Sequence, residues 1–426
     1  MPWAGWHDGG VVTPDEVYDE ASLWFADNWD PGRPLGEWFQ LLADSGWAFP
    51  AWPEGCGGRG LGRTAAKEAL RARRESGAFG APNGVATFLV GPTLLTYGTP
   101  EQQQRYMPGI VSGTDRWCQL FSEPGSGSDM ASLSTRAERD GDEWIVNGQK
   151  VWSSGAHFAR YGILIARTDP NLPKHKGITY FLIDMEQPGV DVRPLREMTG
   201  DAAFNEVFFS DARVRDADRV ANPGDGWMVA MTTLSHERDP DNPGLSETGA
   251  FDEYDLSLPV GEHAAHTAEH TDGFSLSMSG GGVRLFDRLV ADFAMASDPV
   301  RRQQLMKVFS LRQSARWSSQ RAAAAVKAGG QPGPEVSTLK LIGAELSRRT
   351  RDIGLAGLGA AGMLAGEEAP TCGQFQSYAM FTPANSIAGG SDEVQRNIIG
   401  ERVLGLPREP GESDQRERPW SELPRN

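Results

Sequence analysis

"WCQLFSEPGSGSDMASLSTRA", residues 117–137, marks the point at which the chain changes its periodicity. Before it, apolar residues recur every three or four positions; after it, short β-branched and aromatic runs are broken by turn signals. The stretch suits a ligand as well as a turn. Gly125 and Gly127 let backbone N–H groups approach a bound group, Ser122, Ser126 and Ser128 supply hydroxyls, and Glu123-Pro124 stiffens the turn. A Gly/Ser loop alone is more often just a loop, so its place at a helix-to-β junction is what makes it informative.

Working outward, residues 14–117 contain "PDEVYDEASLWFADNW", "LGEWFQLLADSGW", "TAAKEALRARRESGA", "NGVATFLVGPTLLTYG" and "PEQQQRYMPGIVSG", each with helical spacing between Gly and Pro stops. Downstream come "DEWIVNGQKVW", "YGILIART", "GITYFLID", "VDVRPL" and "NEVFFSDARV", which read as strands. Asn147-Gly148 between alternating residues is expected to turn a hairpin, since both positions tolerate positive φ. From Gly226 helices resume, in lengths that suit a bundle, and the charged, Pro-rich end is expected to fray. The expected organisation is a helical domain over 1–117, a β domain over 118–225, a helical bundle over 226–406 and a flexible tail over 407–426. One stretch interrupts the bundle. Residues 239–283 hold nine acidic residues and no Lys or Arg, which accounts for more than half of the formal net charge of −16.

Bulk properties narrow the function. A chain of 426 residues buries more than one core. Its negative charge would repel nucleic acid and anionic membrane, so neither is an expected partner. Cys56, Cys118 and Cys372 are too scattered for a disulfide framework or a zinc cluster. The start "MPWAGWHDGG" lacks a basic, apolar leader, and no run of about 18 apolar residues occurs, so a cytoplasmic enzyme is expected.

Ahead of the bundle, "KVWSSGA" (150–156) places Trp152 either in a core or beside a flat ring. Taken together, "SEPGSGSD" (122–129), "NGQKVWSSGA" (147–156) and "GGSDEVQRNIIGERVLGLPR" (389–408) resemble the acyl-CoA dehydrogenase family in order and approximate separation, as do "WPEGCGGRG" (52–60) and "LLTYGTPEQQQRYMPGIVSG" (94–113). The resemblance implies an α+β fold with an N-terminal helical domain, a middle β domain and a C-terminal four-helix bundle. It also implies FAD as cofactor, an acyl-CoA substrate in lipid metabolism, an acceptor similar to electron-transfer flavoprotein, and a homo- or hetero-oligomer. By the same likeness Phe121 and Ser122 meet the flavin ring, Gly127 and Ser128 lie near flavin and the pantetheine or phosphate of the substrate, and Trp152 and Ser154 cover the isoalloxazine and approach its N5 side. Ser391 and Glu393 match contacts to the adenosine diphosphate of FAD, and "LGAAG" (358–362), with Gly359, matches a turn that receives a partner's adenine.

The family reaction needs a carboxylate to take the α proton while the β hydrogen leaves as hydride, with hydrogen bonds to the thioester oxygen. Many members carry that acid just before the Gly of the terminal motif, where this chain has Gly389 followed by Gly390. Glycine accepts no proton, although its N–H can still donate to the thioester oxygen. A second branch, resembling isovaleryl-CoA and long-chain dehydrogenases, places the base in an L-x-x-E-R segment. Leu234-Ser235-His236-Glu237-Arg238 matches it, which makes Glu237 the expected base. Arg238 then orders the helix end and its loop, or touches the acyl group. Ala388, Gly389 and Gly390 leave room for a branched or bulky acyl chain.

Two features depart from the family. The R-x-x-F-G segment that binds the FAD pyrophosphate is not found; Arg301 or Arg302 could stand in for it, or the site could be shared with an unlike subunit. That second possibility makes a non-catalytic structural subunit the alternative function, with oxidase chemistry on the same fold as a third. His263, His266 and His270 could line one helical face beside Glu262 and Glu269, but a solvated loop or lid is the plainer account, and no metal is expected. Carboxylates beside a CoA entrance would repel its phosphates, so the acidic stretch is expected to face away from the site or to meet a basic partner.

Overall fold

The computed structural model describes residues 13–237, 242, 254–263, 281–327, 333, 337–407 and 417–424. The chain divides into two compact units. The described residues of the first fall within Met1–Leu195, Ala202–His270 and Arg416–Asn426, and those of the second within Arg196–Asp201 and Thr271–Gln415.

The first unit begins where Thr13 caps α1 (Pro14–Asn28): its hydroxyl accepts from Glu16 N–H and the Glu16 side chain reaches back, while Pro14 needs no partner for its missing N–H. α2 (Leu35–Ser45) and α3 (Arg63–Ser76) follow, each closed by a left-handed glycine. Ala65, Ala66, Ala69 and Ala72 give α3 a small-residue face that lets α1 come close. A π-helical turn over 86–90 runs into α4 (Gly91–Tyr97), and Thr99 with Gln102 caps α5 (Pro100–Val111) as Thr13 caps α1. Trp38, Phe39, Phe49 and Trp52 fill the middle of these helices, the last two stacked 4.2 Å apart.

One sheet carries the β region, built from β1 (Trp117–Leu120), β2 (Arg136–Asp140), β3 (Glu143–Lys150), β4 (Tyr161–Arg167), β5 (Ile178–Asp184), β6 (Val190–Leu195), β7 (Phe204–Arg215) and β8 (Arg219–Val220). Its order is β6-β7-β3-β2-β4-β5-β8, with β1 parallel to β4. Alternation along β5 splits its side chains between two cores: Ile178, Tyr180 and Leu182 join the helical cluster, whereas Phe181 and Ile183 pack with Trp144 and Val207. The expected hairpin at Asn147-Gly148 is absent, because β3 passes straight through those residues. They form a bulge against β7, where Asn147 Nδ2 donates to Asp211 Oδ1 at 2.9 Å. The reversal lies instead at Gly141-Asp142, between the paired Asp140 and Glu143. A turn dipeptide inside a strand is tolerated when a partner strand bonds across it.

α6 (Gly226–Glu237), which the periodicity groups with the bundle, packs in the first unit against β5 and the 86–90 turn. A Cβ on Gly226 would lie 2.5 Å from the Thr179 carbonyl carbon, so glycine permits the close approach. Two segments read as loop or tail are also docked here. Residues 254–263 of the acidic stretch run along 31–36, with Leu35 N–H and Gly36 N–H donating to Leu258 and Leu256 and Val260 N–H to Arg33. Residues 417–424 lie on the 168–177 loop: Trp420 N–H donates to Leu172, and its ring covers the Arg167 guanidinium at 4.7 Å. An aromatic over a buried cation explains why this polar segment holds a place.

The second unit contains α7 (Gly281–Asp292), α8 (Pro299–Lys327), α9 (Ser337–Leu358), α10 (Gln374–Phe381) and α11 (Asp392–Ile398), the last continuing as a π-helical turn over 399–403. Phe286, Leu289, Met295, Ile353, Phe375 and Tyr378 form its core. α10 has no clear periodicity in the sequence; it is helical because Phe375 and Tyr378 seat against Gly354 and Gly282, where a Cβ would clash with their rings.

Candidate active site

The Gly/Ser loop is held by a buried ion pair that loop chemistry alone did not reveal. Glu123, 6% exposed, accepts from Ser134 N–H (2.7 Å), Ser134 Oγ (2.8 Å), Thr135 N–H (2.9 Å) and Lys150 Nζ (2.8 Å). Lys150, with no exposed surface, also donates to the Phe121 carbonyl at 3.0 Å. Burial works against the charge on Glu123, but Lys150 and the donors around it hold the carboxyl at about 2. Burial likewise pulls the Lys150 ammonium below its ordinary value, and Glu123 opposes this. The loop beyond is tied by Ser126 Oγ to the Asp129 carbonyl and by Lys174 to Asp129. Gly127 and Ser128 at its tip are exposed, and a Cβ on Gly125 or Gly127 would meet open space.

The next loop is fixed from both sides of Trp152. Val151 N–H donates to the Ser122 carbonyl, and Ser153 N–H and Asn205 N–H exchange bonds with the opposite carbonyls. Trp152 itself is left-handed (φ 62°), a costly conformation for a bulky residue, and it is 57% exposed, with Phe204 edge-on to its indole at 5.7 Å. Neither the N–H nor the hydroxyl of Ser122 has a hydrogen-bond partner among the described residues. An exposed flat ring beside unmet hydrogen-bonding groups fits a planar heterocycle with a polar edge. Phe121, the neighbour of Ser122 in the chain, is buried and packs edge-on against Tyr180 at 5.9 Å.

Tyr180 connects this region to α6. Its hydroxyl meets Thr233 Oγ1 at 3.3 Å, and Thr233 in turn meets Thr93 Oγ1 at 2.9 Å. The buried stripe of α6 is Gly226, Val229, Ala230 and Thr233, and Glu237 stands one turn further on the same side, exposed at the helix end. Asn242, itself buried, ties that end down by donating to the Phe88 carbonyl at 2.8 Å and the His236 carbonyl at 2.9 Å. Arg238, His266 and His270 lie outside the described residues. His263 packs edge-on against Phe79 and Tyr254.

In the second unit Ser391 caps α11 by accepting from Val394 N–H at 3.3 Å. Behind it Asp392 is buried and paired with Arg348 (2.9 Å) and Lys340 (3.3 Å); against the effect of burial, these cations lower its proton affinity. Gly389 (φ 65°) and Gly390 (φ 90°) are both left-handed, and a Cβ on Gly389 would touch nothing within 4 Å. Ala388 and Glu393 are exposed, Glu393 pairing with Arg396 at 3.3 Å. Gly359 is also left-handed, with open space at its Cβ position. The Arg301 guanidinium donates to the Ala356 carbonyl at 3.2 Å and its backbone N–H to Asp298 Oδ1 at 3.1 Å, while Arg302 is exposed.

Two concavities of the first unit differ in content. A cleft of about 850 Å³ between α1, α2 and the 54–61 loop shares no residue with the loops above. A pocket of about 30 Å³ is lined by residues 82–87, Arg116, Ser154, Gly155, Phe158 and Tyr254, so it adjoins the Trp152 loop, and chemistry rather than size recommends it.

Models of the N-terminal, middle and C-terminal domains of acyl-CoA dehydrogenases match residues 15–114, 118–212 and 286–404. Acyl-CoA dehydrogenase IpdE1 of Mycobacterium tuberculosis is 41% identical over 385 residues, covering 87% of this chain and 88% of that protein. The chain belongs to the acyl-CoA dehydrogenase family. The dehydrogenase is also similar to IpdE1 of Mycolicibacterium smegmatis, at 38% identity over 94% of this chain and 99% of that protein. Among solved structures it resembles the Tcur3481-Tcur3483 steroid ACAD (27% identity, TM-score 0.68, 95% of this chain and 99% of that one). It also resembles the ChsE4-ChsE5 complex from Mycobacterium tuberculosis (25% identity, TM-score 0.66, 95% of this chain and 100% of that one).

This dehydrogenase is therefore an FAD-dependent oxidoreductase acting on acyl-CoA, with the α+β fold its motifs imply. The exposed Trp152 ring, the unmet Ser122 groups and the open glycine positions of the 125–127 turn fit the isoalloxazine. Sequence reasoning missed Glu123 as a charge anchor and Lys150 altogether. The signal was strand alternation: Lys150 shares its parity along β3 with Trp144 and Val146, and a Lys on that buried side has to find a partner. No helix among the described residues is long and apolar enough to cross a membrane.

Proposed function

We propose that Glu237 takes the α proton of a bulky acyl-CoA while the β hydrogen leaves as hydride, giving a trans-2-enoyl-CoA. Bound FAD supplies the hydride acceptor. The Gly389 N–H donates to the thioester oxygen, so that charge developing there is stabilised as the proton leaves. Phe121, Ser122, Trp152 and Ser154 hold the flavin ring, Ser391, Glu393 and Gly359 its adenosine diphosphate, and Gly127 and Ser128 the junction of flavin and substrate. Arg238 orders the loop beyond the base. An electron-transfer flavoprotein-like protein in the cytoplasm then removes the electrons.

The observation that carries this reading is Glu237 continuing the stripe of α6 that is coupled through Thr233 and Tyr180 to Phe121, while the terminal motif offers only glycines. A bulky, ring-bearing acyl group is supported by the open space around Gly389 and by the likeness to a protein described as a steroid ACAD. Mixing Glu237→Gln holoenzyme anaerobically with polycyclic acyl-CoAs tests both points. Substrate should bind and perturb the flavin spectrum without bleaching it, whereas the parent bleaches; rapid bleaching by the variant would remove Glu237 from the mechanism.

A second reading, a structural subunit whose flavin site is completed by an unlike chain, is favoured by the missing R-x-x-F-G segment and by likeness to the two-name Tcur3481-Tcur3483 and ChsE4-ChsE5 assemblies. Colourless protein when expressed alone, turning yellow on coexpression with a paralogue, would support it.

A further inference from the structure

We propose that Lys150 is a positioning residue of the flavin site: neutralised by Glu123, its ammonium holds the Phe121 carbonyl inward and so turns the Ser122 N–H outward to donate to FAD. The Phe121–Ser122 peptide is planar and trans, so its C=O and N–H point in opposite directions. Fixing one end fixes the other. Lys150 Nζ takes the Phe121 carbonyl at 3.0 Å, and the Ser122 carbonyl is occupied by Val151 N–H, also at 3.0 Å. What remains of Ser122 for a ligand is its N–H and its hydroxyl, neither of which has a partner among the described residues.

The same residue governs the second loop. Lys150 ends β3, and Val151, bonded back to Ser122, precedes the left-handed Trp152. A single buried cation therefore sets the backbone on which both the hydrogen-bonding edge and the aromatic wall are carried. It can do so because Glu123 is itself saturated by Ser134, Thr135 and Lys150, which leaves the carboxylate no freedom to follow a displaced ammonium. A methionine at 150 would fill the space but release the Phe121 carbonyl, which must then rotate towards another donor. Nothing in this role requires Lys150 to touch substrate or flavin.

The test uses holoenzyme of the parent, Lys150→Met, and the neutral pair Glu123→Gln with Lys150→Gln. FAD affinity, flavin midpoint potential and the carbonyl stretching frequencies of bound flavin are measured, with circular dichroism to establish folding. Folded variants are expected to bind FAD about tenfold or more weakly, as suits loss of a charge-assisted arrangement. Their potential should move to a more negative value and a flavin carbonyl stretch to higher frequency. Parent-like potential and carbonyl stretches in a folded variant would overturn the proposal even if affinity fell, since that pattern indicates general loosening. If neither variant folds, the pair serves the core of the sheet rather than the flavin loop, and the proposal fails.

Discussion

Glu123 and Asp392 are both buried carboxylates set within or beside a glycine-bearing motif, yet they are held in different ways. Glu123 is encased: two backbone N–H groups, a hydroxyl and a fully buried lysine share its two oxygens. Asp392 is braced by two longer side chains, Arg348 and Lys340, which are themselves partly exposed. The residues in front of them differ accordingly. Phe121, Ser122 and Trp152 stand on a backbone with few alternatives, whereas Gly389 and Gly390 are open, left-handed and side-chain-free. The first arrangement suits a resident cofactor whose contacts never change; the second suits a position where room and one backbone N–H are what matter.

The largest effect expected from breaking this contrast is chemical. Glu237→Gln should lower the rate of flavin reduction by about 10²–10⁴-fold with little change in acyl-CoA affinity, measured by anaerobic stopped flow. Next, Lys150→Met should destabilise the first unit by about 3–5 kcal/mol in denaturant unfolding, because it strands Glu123 in a buried site. Arg348→Ala should cost the second unit less, about 1–2 kcal/mol, since Lys340 still reaches Asp392. Gly389→Ala, placing a side chain at φ 65°, should lose about 1–2 kcal/mol and shift preference towards less bulky acyl-CoAs, read as a ratio of kcat/KM values.

The smallest effect is acid sensitivity. Glu123 has a folded-state pKa of about 2, below its unfolded value near 4.5, so its contribution to stability is complete above about 4.5 and is lost as pH falls towards about 2. Asp392 shifts in the same direction. Denaturant midpoints followed down this range should fall, and Lys150→Met should flatten the fall for the first unit only.

Much of the architecture was legible because the helical and strand periodicities are strong and the terminal, Gly/Ser and Trp152 motifs are local. The Asn147-Gly148 turn was misread because a local turn preference was overruled by pairing of β3 with β7, a partner some 60 residues away. Residues 254–263 and 417–424 looked like solvated loop and tail; their docking depends on Leu35, Gly36 and Arg167, which no local pattern links to them. Likewise α10 is a helix through glycines that receive its rings.

By itself, the sequence determined the family, the cofactor, the order of helical and β regions and the absence of a carboxylate at position 389. Those depend on residue identity and short spacing. Only the tertiary structure decided that Lys150 meets Glu123 and Phe121, and that Trp152 is left-handed and exposed. The reason is physical: a buried charge and a strained backbone are stable only when groups distant in the chain converge to satisfy and confine them, and spacing along the chain does not encode that convergence.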